Sequence, residues 1–184
     1  MTQSVGVIGL GAMGSVIATH LLNKNFDVFG YDIEPKRGRD LVKLGLNNTT
    51  SITAVANQAE ILISSLPSFE ALQLVIAEIC KVEKKNQILL ETSTMEVSQK
   101  IMAEKYLIDS DKIFLDSPIS GTTPLVRAMK GSVFVGGDKH AYNRCVPIIN
   151  TFTATNYYVG SVGDSSKMKY LANYLVFVHT VAAA

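Results

Sequence analysis

The chain has 184 residues, 47% of them hydrophobic, which suffices for one well-buried core and falls short of two full domains. Its 17 basic and 16 acidic residues leave a formal charge of +1, so it sets up no long-range field for nucleic acid or an anionic membrane, and a small-molecule partner is expected. Cys80 and Cys145 lie inside apolar helical patterns (LVIAEIC, RCVPII), which reads as reduced core thiols rather than a disulfide framework or a metal site.

The first residues, MTQSVGVIGLG, carry no basic start and no small-residue cleavage site, and so predict a cytoplasmic protein. Val5–Ile8 is a strand, and apolar residues at Met13, Val16, Ile17, Leu21 and Leu22 give Ala12–Lys24 the spacing of a helix. Asp27–Tyr31 is the second strand, followed by a helix after Pro35, a residue suited to a first helical turn. Ile61–Leu66 is a strand stopped by Pro67, and Ser68 caps a helix reaching Val82. Then come a strand at Ile88–Leu90, a helix at Met95–Ile108, and strands at Ile113–Leu115, Val133–Val135 and Tyr157–Val159. Met168–Ala184 is the most apolar stretch, but it contains Lys169, Asn173 and His179 and is shorter than the run of about 20 apolar residues a membrane span needs. It reads as a buried helix. Strands apolar on both faces, alternating with helices, predict an α/β fold of Rossmann type, a mostly parallel sheet covered by helices on both sides.

At the junction of the first strand and first helix stands Gly9-Leu10-Gly11-Ala12-Met13-Gly14, the one context in which G-x-G-x-x-G predicts dinucleotide binding. Gly9 permits the tight turn, Gly11 lets a pyrophosphate approach the backbone, and Gly14 lets helix and strand pack closely, with the anion at the helix N-terminus. Asp32, at the end of the second strand, is placed to accept hydrogen bonds from an adenosine ribose. The competing reading is an ordinary strand-to-helix turn with Asp32 capping the next element. The charge of Asp32 favours NAD over NADP, while Lys36 and Arg37 are close enough to meet a 2′-phosphate and leave NADP open.

Asp116-Ser117-Pro118-Ile119-Ser120-Gly121 resembles the D-x-P-V-S-G substrate-binding motif of the β-hydroxyacid dehydrogenase family, which takes in 3-hydroxyisobutyrate dehydrogenase and 6-phosphogluconate dehydrogenase. Three more segments match in the family's order. The glycine loop resembles its G-L-G-x-M-G, Glu91-Thr92-Ser93-Thr94 its D-x-S-T, and Gly160–Asn173 its G-x-x-G-x-G-x-x-x-K-x-x-x-N, with Ser165 in place of the third glycine. The resemblance implies hydride transfer between NAD and a short 3-hydroxy acid or its semialdehyde. It implies Lys169 as the acid-base group, Asn173 holding the substrate hydroxyl, and Ser120 and Gly121 binding the substrate's acid group or hydroxyl. Lys169 and Asn173, four apart, share one helix face, and desolvation near a closed site lowers a lysine's proton affinity. Leu66, Pro67, Ser93 and Thr94 are implied along the path to the nicotinamide. A purely local reading makes Ser93 and Thr94 a helix-capping pair completed by Glu96. His20, His140 and His179 fall outside every motif, and His179 reads as a packed core histidine.

Departures from the family pattern are Thr122-Thr123 after Gly121 and Met129 where glycine is expected, although Gly131 restores the pattern with a two-residue shift. They bear on substrate identity more than on reaction type. The resemblance divides the chain into a dinucleotide-binding domain, 1–162, and the start of an interdomain helix, 163–184. It implies that a helical C-terminal domain, through which the family usually dimerises, is missing, so that this chain binds nucleotide but turns over poorly and exposes Leu171, Leu175, Val178 and Ala182. An imine reductase-like NADP enzyme is an alternative that Lys169 disfavours. A non-catalytic nucleotide-binding module is another; it would not require Ser120, Lys169 and Asn173.

Overall fold

Runs such as Val5–Ile8 and Ile61–Ile63 carry no polar residue on either side of the pleat, so their strands need cover on both faces. In the computed structural model, which describes residues 3–184, they receive it. The elements are β1 (Ser4–Ile8), α1 (Ala12–Asn23), β2 (Asp27–Tyr31), α2 (Arg39–Val42), β3 (Asn47–Asn48), α3 (Ile52–Gln58), β4 (Ile61–Ser64) and α4 (Phe69–Cys80). They continue with β5 (Ile88–Glu91), α5 (Val97–Ile108), β6 (Ile113–Asp116), β7 (Ile119–Ser120), α6 (Thr123–Arg127), β8 (Ser132–Gly137), α7 (Lys139–Ile149), β9 (Thr155–Gly160) and α8 (Asp164–Ala182). Met1 and Thr2, which begin the segment read for a targeting leader, lie outside the described residues.

The sheet runs β3-β2-β1-β4-β5-β6, all parallel, and is then extended by β8 antiparallel to β6, with β7 antiparallel and β9 parallel to β8. This is a Rossmann-type fold. One face is packed by Val16, Ile17 and Leu21 of α1 together with Cys145, Ile148 and Ile149 of α7. The other is packed by Val55 of α3, Leu72 and Val75 of α4, and Ala103 and Leu107 of α5.

Several expected boundaries move. The helix placed after Pro35 is the four-residue α2, starting at Arg39. The strand placed at Ile61–Leu66 ends at Ser64, because Ser65 and Leu66 turn away to form the loop before α4. Strand β3 and helix α3 are additional; α3 is capped by Ser51, whose Oγ accepts from the Ala54 amide. Val133–Val135 belongs to a strand that runs against its neighbour β6, since only the short connection through β7 and α6 separates them.

Candidate cofactor and catalytic site

Three glycines of the loop are needed for three different reasons. Gly9 has φ +89°, and a Cβ there would stand 2.2 Å from the Ser65 carbonyl oxygen. A Cβ on Gly14 would stand 1.8 Å from the Gly9 carbonyl oxygen, so α1 can approach β1 only with a bare backbone there. At Gly11 the fold makes no such demand: the nearest atom to a Cβ is Arg37 Nη1, at 3.4 Å. Gly11 caps α1 without a side-chain hydrogen bond, and no acidic residue occupies the helix's first turn. The space beside Gly11 and the amides of the first turn therefore suit an anion.

Asp32 braces this loop. Its Oδ2 accepts from the Leu10 amide at 2.7 Å, its Oδ1 accepts from the Glu34 amide at 2.8 Å, and α2 begins too late for Asp32 to cap it. Arg37 lies 3.5 Å from Asp32 and 3.0 Å from Glu34, so its guanidinium faces two carboxylates. A cleft of about 270 Å³ opens beside Asp32, lined by Tyr31, Glu34, Gly38 and Thr49. With Asp32 at its wall, it has the size and polarity for a ribose.

The other predicted cofactor residues lie at the carboxyl ends of β4 and β5. Ser93 Oγ accepts from the Leu66 amide at 2.8 Å and so ties the two loops together. Pro67 and Thr94 line a cleft of about 410 Å³ with Ser68, Met95 and Tyr170. The expected capping pair is corrected here. Glu96 is itself the N-cap of α5 and Gln99 completes the box, which leaves Ser93 for Leu66 and Thr94 exposed to the cleft.

Helix α8 carries the predicted catalytic pair. It packs against α5, β7, β8 and β9, so the helix that carries Lys169 lies against the strand that ends at Ser120. Lys169 is only 9% exposed, and among the described residues it forms neither a hydrogen bond nor an ion pair. Burial of the ammonium lowers its pKa from the ordinary lysine value. Asn173 lies one turn farther on the same face and is exposed. Gly121, at φ +144°, follows Ser120 and starts the loop leading to α6. Lys167, two residues earlier, pairs with Asp164 at the surface, 3.0 Å away.

Beneath this helix lies a charged cluster. Ser64, Glu91 and Asp116 stand side by side in register at the ends of β4, β5 and β6, on the face that carries Leu62, Leu89 and Phe114. Lys100 of α5, fully buried, is salt-bridged to Glu91 and lies 3.0 Å from Asp116 Oδ1. Its contact with Oδ1 is off the line of a directed hydrogen bond, so charge joins the two. Burial opposes the Lys100 ammonium, but the two carboxylates outweigh it and raise its pKa above the ordinary lysine value. Asp116 Oδ2 accepts from the Gly163 and Ser166 amides, both at 3.2 Å, and from the hydroxyls of Ser165 and Ser166 at 2.6 and 2.8 Å. The surplus negative charge of the cluster thus meets the N-terminus of α8.

Residues 4–160 match the family described as the NAD binding domain of 6-phosphogluconate dehydrogenase. The chain belongs to this family. It is an NAD(P)-binding domain of the β-hydroxyacid dehydrogenase kind. It is 26% identical to the mitochondrial 3-hydroxyisobutyrate dehydrogenase of Rattus norvegicus over 183 residues, covering 98% of this chain and 55% of the relative. It is 24% identical to the 2-(hydroxymethyl)glutarate dehydrogenase of Eubacterium barkeri, covering 94% of this chain and 58% of that one. The chain therefore spans about half the length of the curated relatives it matches. The fold matches the solved Mycobacterium tuberculosis 3-hydroxyisobutyrate dehydrogenase with a TM-score of 0.93 at 21% identity, covering 99% of this chain and 62% of that one. An imine reductase of Myxococcus stipitatus matches with a TM-score of 0.92 at 17% identity, covering 100% and 64%, a likeness of fold.

Within this family domain two expectations fail. Met168–Ala184 is not a buried helix: Tyr174, Val176, Phe177 and Val181 are more than half exposed, because past Tyr170, whose hydroxyl donates to the Met95 carbonyl, none of the described elements covers the helix. His179 is exposed for the same reason. The exposure foreseen for Leu171, Leu175, Val178 and Ala182 is present. No described helix is long and apolar enough to cross a membrane. Lys100 escaped the sequence reading, although its spacing to Ala103 and Leu107 marks the buried face of α5, where a lone lysine needs buried partners.

Proposed function

We propose that this chain is the cofactor domain of an oxidoreductase that transfers hydride between NAD and a short 3-hydroxy acid or the matching semialdehyde, with Lys169 as its acid-base group. One observation carries the reading. Lys169 is an almost buried lysine with no partner among the described residues, on the helix that starts at the cofactor edge of the sheet and packs on the strand ending at Ser120. A purely structural lysine at that depth would have a carboxylate or carbonyl partner, as Lys100 and Lys112 do.

The amides at Gly11, Ala12 and Met13 bind the pyrophosphate, Asp32 the adenosine ribose, and Leu66, Pro67, Ser93 and Thr94 line the path to the nicotinamide. When bound, the cofactor accepts or supplies the hydride. In oxidation the neutral Lys169 amine takes the hydroxyl proton as the carbon-bound hydrogen departs; in reduction the ammonium returns it. Its lowered pKa makes both forms available nearer neutral pH than for a solvated lysine. Asn173 orients the hydroxyl, and Ser120 with the Gly121 amide holds the acid group. Residues 163–184 begin a helix leading to a further helical domain that completes the pocket and pairs two copies. The relatives named as hydroxyacid dehydrogenases support this assignment of class.

In the enzyme that contains this chain, Lys169→Ala is expected to lower kcat by about 10²- to 10⁴-fold with NAD affinity nearly unchanged. Lys169→Arg is expected to rescue little, since a guanidinium keeps its proton at working pH. Near-normal turnover by Lys169→Arg would reduce the residue to an electrostatic anchor and overturn the reading.

A further inference from the structure

Helix α8 has no cap of its own. Its N-cap, Gly163, is in the left-handed region with φ 92° and offers no side chain. Asp164 of its first turn is taken up by the Ser161 amide and by Lys167, and the donors of Gly163, Ser165 and Ser166 are met instead from the sheet, where Asp116 Oδ2 gathers the Gly163 and Ser166 amides and the Ser165 and Ser166 hydroxyls. A local serine or aspartate cap would stabilise the helix equally well without fixing its direction relative to the sheet. A carboxylate at the end of β6 does both. It is itself held, because Lys100 bridges it to Glu91 and also donates to the Ser93 carbonyl at 2.8 Å. Ser93 in turn accepts from Leu66, so one continuous chain of contacts runs from the loop after β4 to the first turn of α8.

We propose that Asp116, held by Lys100, is a positioning residue for Lys169: it locks the first turn of α8 to the cofactor edge and sets where the lysine emerges. Lys169 lies roughly 4.5 Å along the axis from Ser166, close enough for a rigid helix to carry the constraint with little loss. Ser165, the departure from the family's third glycine, is part of the lock. The proposal rests on the reading of Lys169 as the proton carrier.

The test uses this chain and needs no turnover. The Lys169 ammonium is titrated by NMR, its signal assigned by its absence in Lys169→Ala, in the unmutated chain, in Asp116→Asn and in the pair Ser165→Ala/Ser166→Ala. Both variants are expected to raise the Lys169 midpoint toward that of the exposed lysines, and to speed hydrogen exchange of the Gly163 and Ser166 amides by about 10- to 100-fold. NAD affinity is expected to stay within about twofold, since the glycine loop is untouched. An unchanged midpoint in a folded variant overturns the proposal, as does loss of NAD affinity in step with the shift, which would make the cluster general scaffolding. If Asp116→Asn fails to fold, the serine pair, which leaves the ion pairs intact, decides alone. Failure here leaves the proton role of Lys169 standing. An active Lys169→Arg enzyme would remove that role without moving these midpoints.

Discussion

Replacing Gly11 by alanine separates what the fold requires from what the ligand requires. Its backbone, at φ −68° and ψ −160°, is open to any residue, and the added methyl meets only the mobile end of Arg37 at 3.4 Å. Restricting the unfolded chain favours the variant by about 0.4–1 kcal/mol, while alanine is a poorer N-cap by roughly 1 kcal/mol. Stability should therefore stay within about 1 kcal/mol, or roughly 2–4 °C in Tm. Binding should not survive so well. Amide-to-phosphate bonds must close to about 2.7–2.9 Å, and a methyl in that space prevents it. Losing two such bonds at about 1.5 kcal/mol each lowers NAD affinity by at least about 100-fold. Gly14→Ala is the control, since its methyl would lie 1.8 Å from the Gly9 carbonyl oxygen and should destabilise the fold by about 1–3 kcal/mol or more. The chain has no tryptophan, so NADH emission can be followed directly, beside thermal unfolding of each variant. Unchanged NAD affinity in Gly11→Ala would show that the loop is only a turn.

Asp32→Asn keeps an acceptor for only one of the Leu10 and Glu34 amides and removes the charge, and should narrow the preference for NAD over NADP by about 10-fold in competitive titrations. NADP preferred by the unmutated chain would refute this. Met129 follows the end of α6 at φ +57°, a conformation costing a side chain about 1 kcal/mol, so Met129→Gly should raise stability by roughly that amount in urea unfolding; a loss would refute it. Burial pushes the Cys145 thiol up to about 12, so raising the pH from about 7 to 9 should leave it unlabelled by a thiol reagent until the chain unfolds. Labelling of Cys145 in the native chain at that pH would contradict its burial.

Elements with strong periodicity were readable residue by residue: Asp27–Tyr31 has the boundaries expected of it, and Ser68 caps α4 as predicted. Helix α3 (ITAVANQ) was not, because only Val55 and Ala56 of it are buried and a stripe that short has no measurable period. The burial of α8 could not be read because composition reports only what a helix is able to bury. What lies over it is decided by other elements. In the candidate site, the turn geometry of the glycine loop was legible from spacing and Lys169 is proposed from resemblance, but the Asp116–Lys100 cluster could not be read. Its members are distant in sequence and meet only once β5 and β6 pair and α5 crosses behind them.

The place of β1 in the sheet also bears on how the chain is made. Strand β1 hydrogen-bonds to β2 on one side and to β4 on the other. At roughly 5–20 residues per second, Ile61–Ser64 follows it by several seconds. For that interval the nascent chain carries an apolar strand with one edge unpaired, the kind of edge that recruits other chains. Arrival of β4 ends the exposure and delivers Ser65, whose amide donates to the Ile8 carbonyl at 3.0 Å and whose own carbonyl walls in Gly9. The dinucleotide loop thus takes its final shape in the same step of biosynthesis that pairs the open edge of β1.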